Sequence, residues 1–104
     1  TGKYSGGAIP AGSRMSLVPN LGGRMKPGAI ETAQAYVDVA QKHGLDPAHM
    51  AMAWQATRPF AVSAIFGATH VGQLEHLLAG KDTVLSQEVM ADIDAVHRAH
   101  PMPF

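Results

Sequence analysis

The sequence predicts an α/β protein that is mostly helical as it stands, with one strand buried on both faces among about four helices. Apolar residues recur at spacings of three and four over four separate stretches, as amphipathic helices require. Between the second and third stretch lies Phe60–Phe66, a short and mainly apolar run that includes Val62 and Ile65. It lacks strict alternation, which suits a strand covered on both sides, as in a parallel sheet. One such strand cannot form a sheet alone, because its backbone donors and acceptors need neighbours. No other segment is a strong candidate to pair with it, although Thr1–Tyr4 could be the end of a second strand. The chain therefore reads as the last part of a larger protein in which helices and strands alternate.

The elements follow in order. Residues 1–28 are punctuated by Pro10, Pro19 and Pro27 and by Gly6, Gly7, Gly12, Gly22 and Gly23, too densely for a long element. The first helix starts at Ala29, with Ile30, Ala33, Val37 and Ala40 as its stripe and Tyr36 beside it, and Gly44 stops it. Asp46 and Pro47 read as an N-cap followed by proline at the first helical position. That second helix runs to about Thr57, with Met50, Ala53, Trp54 and Thr57 on one face, and Pro59 blocks its continuation. Trp54 reads as a core anchor rather than a ligand-stacking group. After the strand and Gly67-Ala68-Thr69, a third helix starts near His70 and ends at Gly80, with Val71, Leu74, Leu77 and Leu78 as its stripe. Ser86 caps a fourth helix, whose Val89, Ile93 and Val96 face inward, and Pro101 and Pro103 close the chain.

Length and composition narrow the function. At 104 residues the chain is one domain at most. The absence of cysteine excludes disulfides, a thiol nucleophile, cysteine-ligated zinc and iron–sulfur clusters. Hydrophobic residues make up 46% and charged residues 15%, too apolar for a disordered tail, while the unbroken apolar runs fall far short of a membrane span. Thr1 in place of Met, with no signal-peptide pattern after it, reads as the start of a processed or cut chain.

Charge is unevenly spread. Residues 1–30 hold Lys3, Arg14, Arg24 and Lys26 with no acid, whereas residues 31–104 hold four basic and eight acidic side chains. Seven of the eleven glycines also fall in the first part. Such a stretch is either a flexible loop with solvating charges or a backbone that lies along an anionic ligand. Nucleic acid is not expected, because the basic residues lack aromatic interleaving and the net charge is zero.

The strongest local signal for chemistry is Gly67-Ala68-Thr69 between the strand and a helix. Unpaired N–H groups and the positive dipole end suit a phosphate there, Gly67 allows a tight turn, and Thr69 can cap the helix or bind an oxygen. A plain strand-to-helix turn has the same appearance. The six histidines read as scattered surface residues, and no metal site is expected, since no carboxylate completes one in the HExxH manner. Asp92 and Asp94 read as solvated. Phosphate-loop, dinucleotide-fingerprint and serine-elbow motifs are absent.

Four stretches together are similar to one family. Thr1-Gly2-Lys3-Tyr4 with Ile9-Pro10-Ala11-Gly12-Ser13-Arg14 resembles the loop after the seventh strand of aldo-keto reductases. His43-Gly44-Leu45 with Met50-Ala51-Met52-Ala53-Trp54 resembles the seventh barrel helix region. Val62–Thr69 with Gln73-Leu74 resembles the eighth strand and the start of its helix, and Leu85-Ser86 through Ile93-Asp94 and His97-Arg98 the extra C-terminal helix. The resemblance covers essentially the whole chain and is closest to the bacterial branch that includes the potassium-channel β subunits.

The resemblance implies the C-terminal part of a (β/α)8 TIM barrel that reduces aldehydes or ketones with NADPH in the cytoplasm. It divides the chain into a cofactor loop (1–28), a helical pair (29–58), the last strand and turn (60–69), the last barrel helix (70–80) and the extra helix (86–99). It places Lys3 and Arg14 near the cofactor's phosphates, and Gly67, Thr69 and Gln73 around the adenosine end. Arg14 would suit a 2′-phosphate, which favours NADP over NAD. The family's polar pair after the Gln is replaced by His76 and Leu77, and Leu77 offers adenine no hydrogen bond. The family's catalytic residues lie on earlier strands, so none is assigned here, Lys3 and Tyr4 included. The implied partners are NADP(H), a carbonyl substrate in the complete protein, and either the missing N-terminal barrel portion or a second copy of the chain, with neither nucleic acid nor membrane. The alternative is a non-catalytic nucleotide-binding or interaction module from a truncated homologue.

Overall fold

The computed structural model describes residues 2–60 and 62–101. Thr1, Ala61 and Pro103, which carry parts of the expectations above, lie outside the described residues. In chain order come a 3-10 turn (Ser5–Gly7), α1 (Arg14–Leu17), α2 (Ala29–Lys42), α3 (Pro47–Ala56), α4 (Val71–Ala79) and α5 (Gln87–Ala99). The last four are the helices that the apolar spacing predicts. The 3-10 turn and the single-turn α1 lie in the segment that reads as irregular, where they are too short to leave a periodic signal.

Helix α2 organises the bundle, with α3, α5 and the 3-10 turn packed against it. Its ends are set by local chemistry. Glu31 in the first turn and Lys42 in the last match the helix dipole. Past the last turn, Gly44 takes φ +64°, a conformation that glycine adopts freely. The Leu45 amide then donates to the Ala40 carbonyl (2.8 Å) and the Gly44 amide to that of Gln41 (3.1 Å), a Schellman closure. Asp46 immediately caps α3: its Oδ1 accepts the amides of Ala48 (2.8 Å) and His49 (3.1 Å), with Pro47 at the first helical position. Two helix ends within a few residues fold α3 back onto α2.

The core is Val39, Ala40, Met50, Val89 and Ile93, with Tyr36, Leu45, Trp54, Leu85 and Val96 packed around it. Trp54 thus packs against the core, as expected. In the stripes of α2 and α3, Ala33 and Thr57 are exposed instead, while Thr32 and Val39 are buried. Helix α5 begins at Ser86, whose Oγ accepts the Val89 amide at 3.3 Å. It is tied to α2 by Asp92, whose Oδ2 accepts from Lys42 Nζ (2.7 Å) and His43 Nε2 (2.6 Å). Asp92 is therefore paired, not merely solvated, because the end of α2 brings two donors to one carboxylate.

The strand is the main correction. Among the described residues there is none: Val62–Ala68 takes no regular structure. Phe60 is 67% and Ile65 96% exposed. The reason is the one the sequence supplies, since an extended segment needs a neighbour for its backbone groups. The stripe of α4 follows suit. Leu77 is buried, but Val71, Leu74 and Leu78 stay exposed, with no sheet beneath them. No helix of the described residues is long and apolar enough to cross a membrane.

Replacing Ile93 by Ala should cost about 2–5 kcal/mol of stability, read as a lower urea midpoint, because it opens a cavity where α5 meets α2. The hydrogen bond from Lys42, and then that from His43, holds the Asp92 carboxyl below its ordinary value. Stability from this pairing is complete above the unfolded-state value of about 4 and drains away as pH falls through the lower folded value. Urea midpoints measured from pH 5 downward should fall less steeply for Asp92→Asn than for the parent chain.

Candidate functional site

The first turn of α4 borders an open cleft of about 280 Å³ lined by Lys3, Gly67, His70, Gly72, Gln73, His76 and Leu77. Three of the five expected cofactor residues, Lys3, Gly67 and Gln73, thus share one cleft, although more than sixty positions separate Lys3 from the others. Thr69 is not in its lining but is held beside it. Gln73 Oε1 accepts both the Thr69 amide (2.8 Å) and the Thr69 hydroxyl (3.1 Å). The cap of α4 is His70, whose Nδ1 accepts the Gln73 amide at 3.3 Å. Thr69 therefore does not cap the helix; one residue too far from its first turn, it pairs with Gln73 instead.

Arg14 lies outside the cleft, exposed on α1. The Tyr4 hydroxyl accepts the Met15 amide at 3.1 Å, so the residue after Lys3 is joined to the residue after Arg14. That bond holds the Tyr4 phenol below its ordinary pKa. The Lys3 ammonium stands 5.4 Å from the centre of the Tyr4 ring. The two basic residues are thus parts of one Gly-rich loop anchored at Tyr4, with Lys3 facing the start of α4. Cations and amide-rich backbone at a helix start suit an anionic group.

A second cluster borders this cleft. His76 Nε2 is 3.1 Å from Asp46 Oδ2, and the His49 and His76 rings stack with centroids 4.8 Å apart. Burial raises the Asp46 pKa, but the His49 and Ala48 amides and the two imidazoles outweigh it and leave the carboxyl below its ordinary value. Sequence spacing missed this grouping because 27 positions separate His49 from His76. The only local hint was that Asp46 and His49 lie three apart at the start of a helix.

A larger groove of about 840 Å³ runs between the N-terminal loop, α2, α3 and α5. Its lining includes Tyr36, Met50, Trp54 and Arg58. The Arg58 guanidinium lies 4.2 Å from the centre of the Trp54 ring, while Trp54 Nε1 and Arg58 Nε are buried without a hydrogen-bond partner among the described residues.

Residues 5–98 match the model of the Aldo/keto reductase family, and the chain belongs to that family. It is 41% identical to Protein tas of Escherichia coli (strain K12) over 99% of this chain and 30% of that protein. It is 34% identical to a probable voltage-gated potassium channel subunit beta of Oryza sativa, over 97% of this chain and 32% of the relative. The corresponding Arabidopsis thaliana protein is 32% identical over the same shares. The family and the branch expected from the sequence are therefore correct. The chain spans about a third of the length of these curated relatives.

The Asp46 cap should be worth about 1 kcal/mol. Asp46→Ala is expected to lower the urea midpoint accordingly and to lower helical ellipticity, whereas Asp46→Asn, which keeps an acceptor, should retain most of both.

Proposed function

We propose that this chain is the cofactor-clamping C-terminal part of an NADP-dependent oxidoreductase that reduces aldehydes or ketones. The observation that carries this reading is the convergence of Lys3, Gly67 and Gln73 at the start of α4. The residues present fit the phosphate-bearing part of a dinucleotide: an ammonium, a glycine without a side chain in the way, and the first turn of a helix. In this reading Lys3 and Arg14 neutralise phosphates, Arg14 favours the 2′-phosphate, and Gly67, Thr69 and Gln73 surround the adenosine end. Gln73 Oε1 is committed to Thr69, so its Nε2 is the atom offered to the ligand. Leu77 gives adenine an apolar wall without a hydrogen bond.

Bound cofactor supplies hydride to a carbonyl carbon. In this reading the residues that donate the proton lie on earlier strands outside these 104 residues, so the chain alone is proposed to have no reductase activity. We read 60–66 as the last strand of a (β/α)8 barrel. The exposure of Phe60, Val62, Ile65 and Phe66 supports this, because that run is suited to burial on both faces and lacks its neighbours here.

The test is an amide NMR titration with NADP⁺ and with NAD⁺. NADP⁺ should shift Lys3, Gly67, Thr69 and Gln73. Lys3→Ala should weaken both nucleotides by about tenfold or more, the loss of one charge-assisted bond. Arg14→Ala should weaken NADP⁺ selectively. Shifts confined to other residues, or an Arg14 effect equal for both nucleotides, would count against the reading.

A further inference from the structure

We propose that Asp46, His49 and His76 form a binding site for a divalent transition metal of the zinc class, which clips α3 to α4. The three residues offer one ligating atom each, and these atoms lie within 4.8 Å of one another. Two imidazoles and a carboxylate are a donor set that zinc and its borderline neighbours bind well. Asp46 Oδ2 and His76 Nε2 are already 3.1 Å apart, close to the ~3.3 Å between two ligands of a tetrahedral ion with bonds near 2.0–2.1 Å. The third ligand lies within 4.8 Å of the others and closes by up to about 1.5 Å, a side-chain adjustment at a half-exposed place.

The surroundings orient each ligand as a metal requires. His49 Nε2 lies 2.6 Å from the His76 backbone carbonyl. A carbonyl only accepts, so Nε2 carries the proton and the lone pair of the neutral ring is on Nδ1. Metal-binding histidines are commonly fixed in this way, with one nitrogen donating to a carbonyl and the other left for the ion. The Cδ2 edge of His49 lies against Gly80, where a Cβ would overlap the ring, so the Nδ1 edge faces away from Gly80. Asp46 holds its Oδ1 on two amides and presents Oδ2 to the cluster.

On binding, the ion takes the place of the proton between His76 Nε2 and Asp46 Oδ2, and the neutral His76 ring carries its single proton on Nδ1, which frees the Nε2 lone pair for the ion. Water completes the coordination, since His76 is exposed and the other two residues are half-buried. The site gives α4 a strong link to α3, and α4 has no extensive helix packing of its own among the described residues.

The experiment is a calorimetric titration of the chain with Zn²⁺ alone, followed by histidine ring NMR. One ion per chain is expected, with the His49 and His76 ring signals shifting while those of His43, His70, His97 and His100 stay in place. His76→Ala should weaken binding by about 100-fold, and Asp46→Asn, which keeps the helix cap, by about tenfold or more. His97→Ala should bind as the parent does. Absence of binding at millimolar Zn²⁺, ring shifts confined to the other histidines, or unchanged affinity in both His76→Ala and Asp46→Asn would overturn the proposal.

Discussion

The closed corner between α2 and α3 is the constraint on which the rest of the structure depends. Gly44 in the left-handed region lets the backbone of Leu45 return to Ala40, and two residues later Asp46 starts the next helix. This short reversal seats Met50 and Trp54 against Val39 and Ala40. Ala40 is fully shielded from solvent, and its small side chain lets the helices approach closely. Helix α5 adds Val89 and Ile93 to the same core and is held to the end of α2 by Asp92.

The same corner also places the chemistry. Asp46 serves α3 with one oxygen and reaches α4 with the other, so a single side chain fixes the start of one helix and the position of its neighbour. His76 stands between two features, since it lines the cleft that Lys3 shares with Gly67 and Gln73 and also stacks on His49. Through Asp46 and His49 it bridges α3 and α4.

Helices were legible because their signals are local. Apolar spacing, the Asp46-Pro47 start, the Ser86 cap and the stops at Gly44 and Gly80 all act within a few residues, and all mark ends that the structure has. The segment at Phe60–Phe66 failed for the opposite reason. Its composition records the burial it is suited to, but an extended backbone is decided by a partner that no local pattern supplies. The exposed stripe of α4 is a consequence of the same absence.

By itself the sequence determined the family, the four long helices and the basic, glycine-rich character of the first 28 residues, because these rest on residue order and short-range backbone chemistry. Only the tertiary structure decided that Lys3 shares a cleft with Gly67 and Gln73, that Asp92 is held by Lys42 and His43, that Gln73 rather than the helix end engages Thr69, and that Asp46, His49 and His76 converge. All but the Thr69–Gln73 pair, whose residues are four apart, depend on how segments far apart in the chain are brought side by side. That arrangement is set by packing around α2, whose apolar stripe marks a buried face in the sequence without saying which partners will cover it.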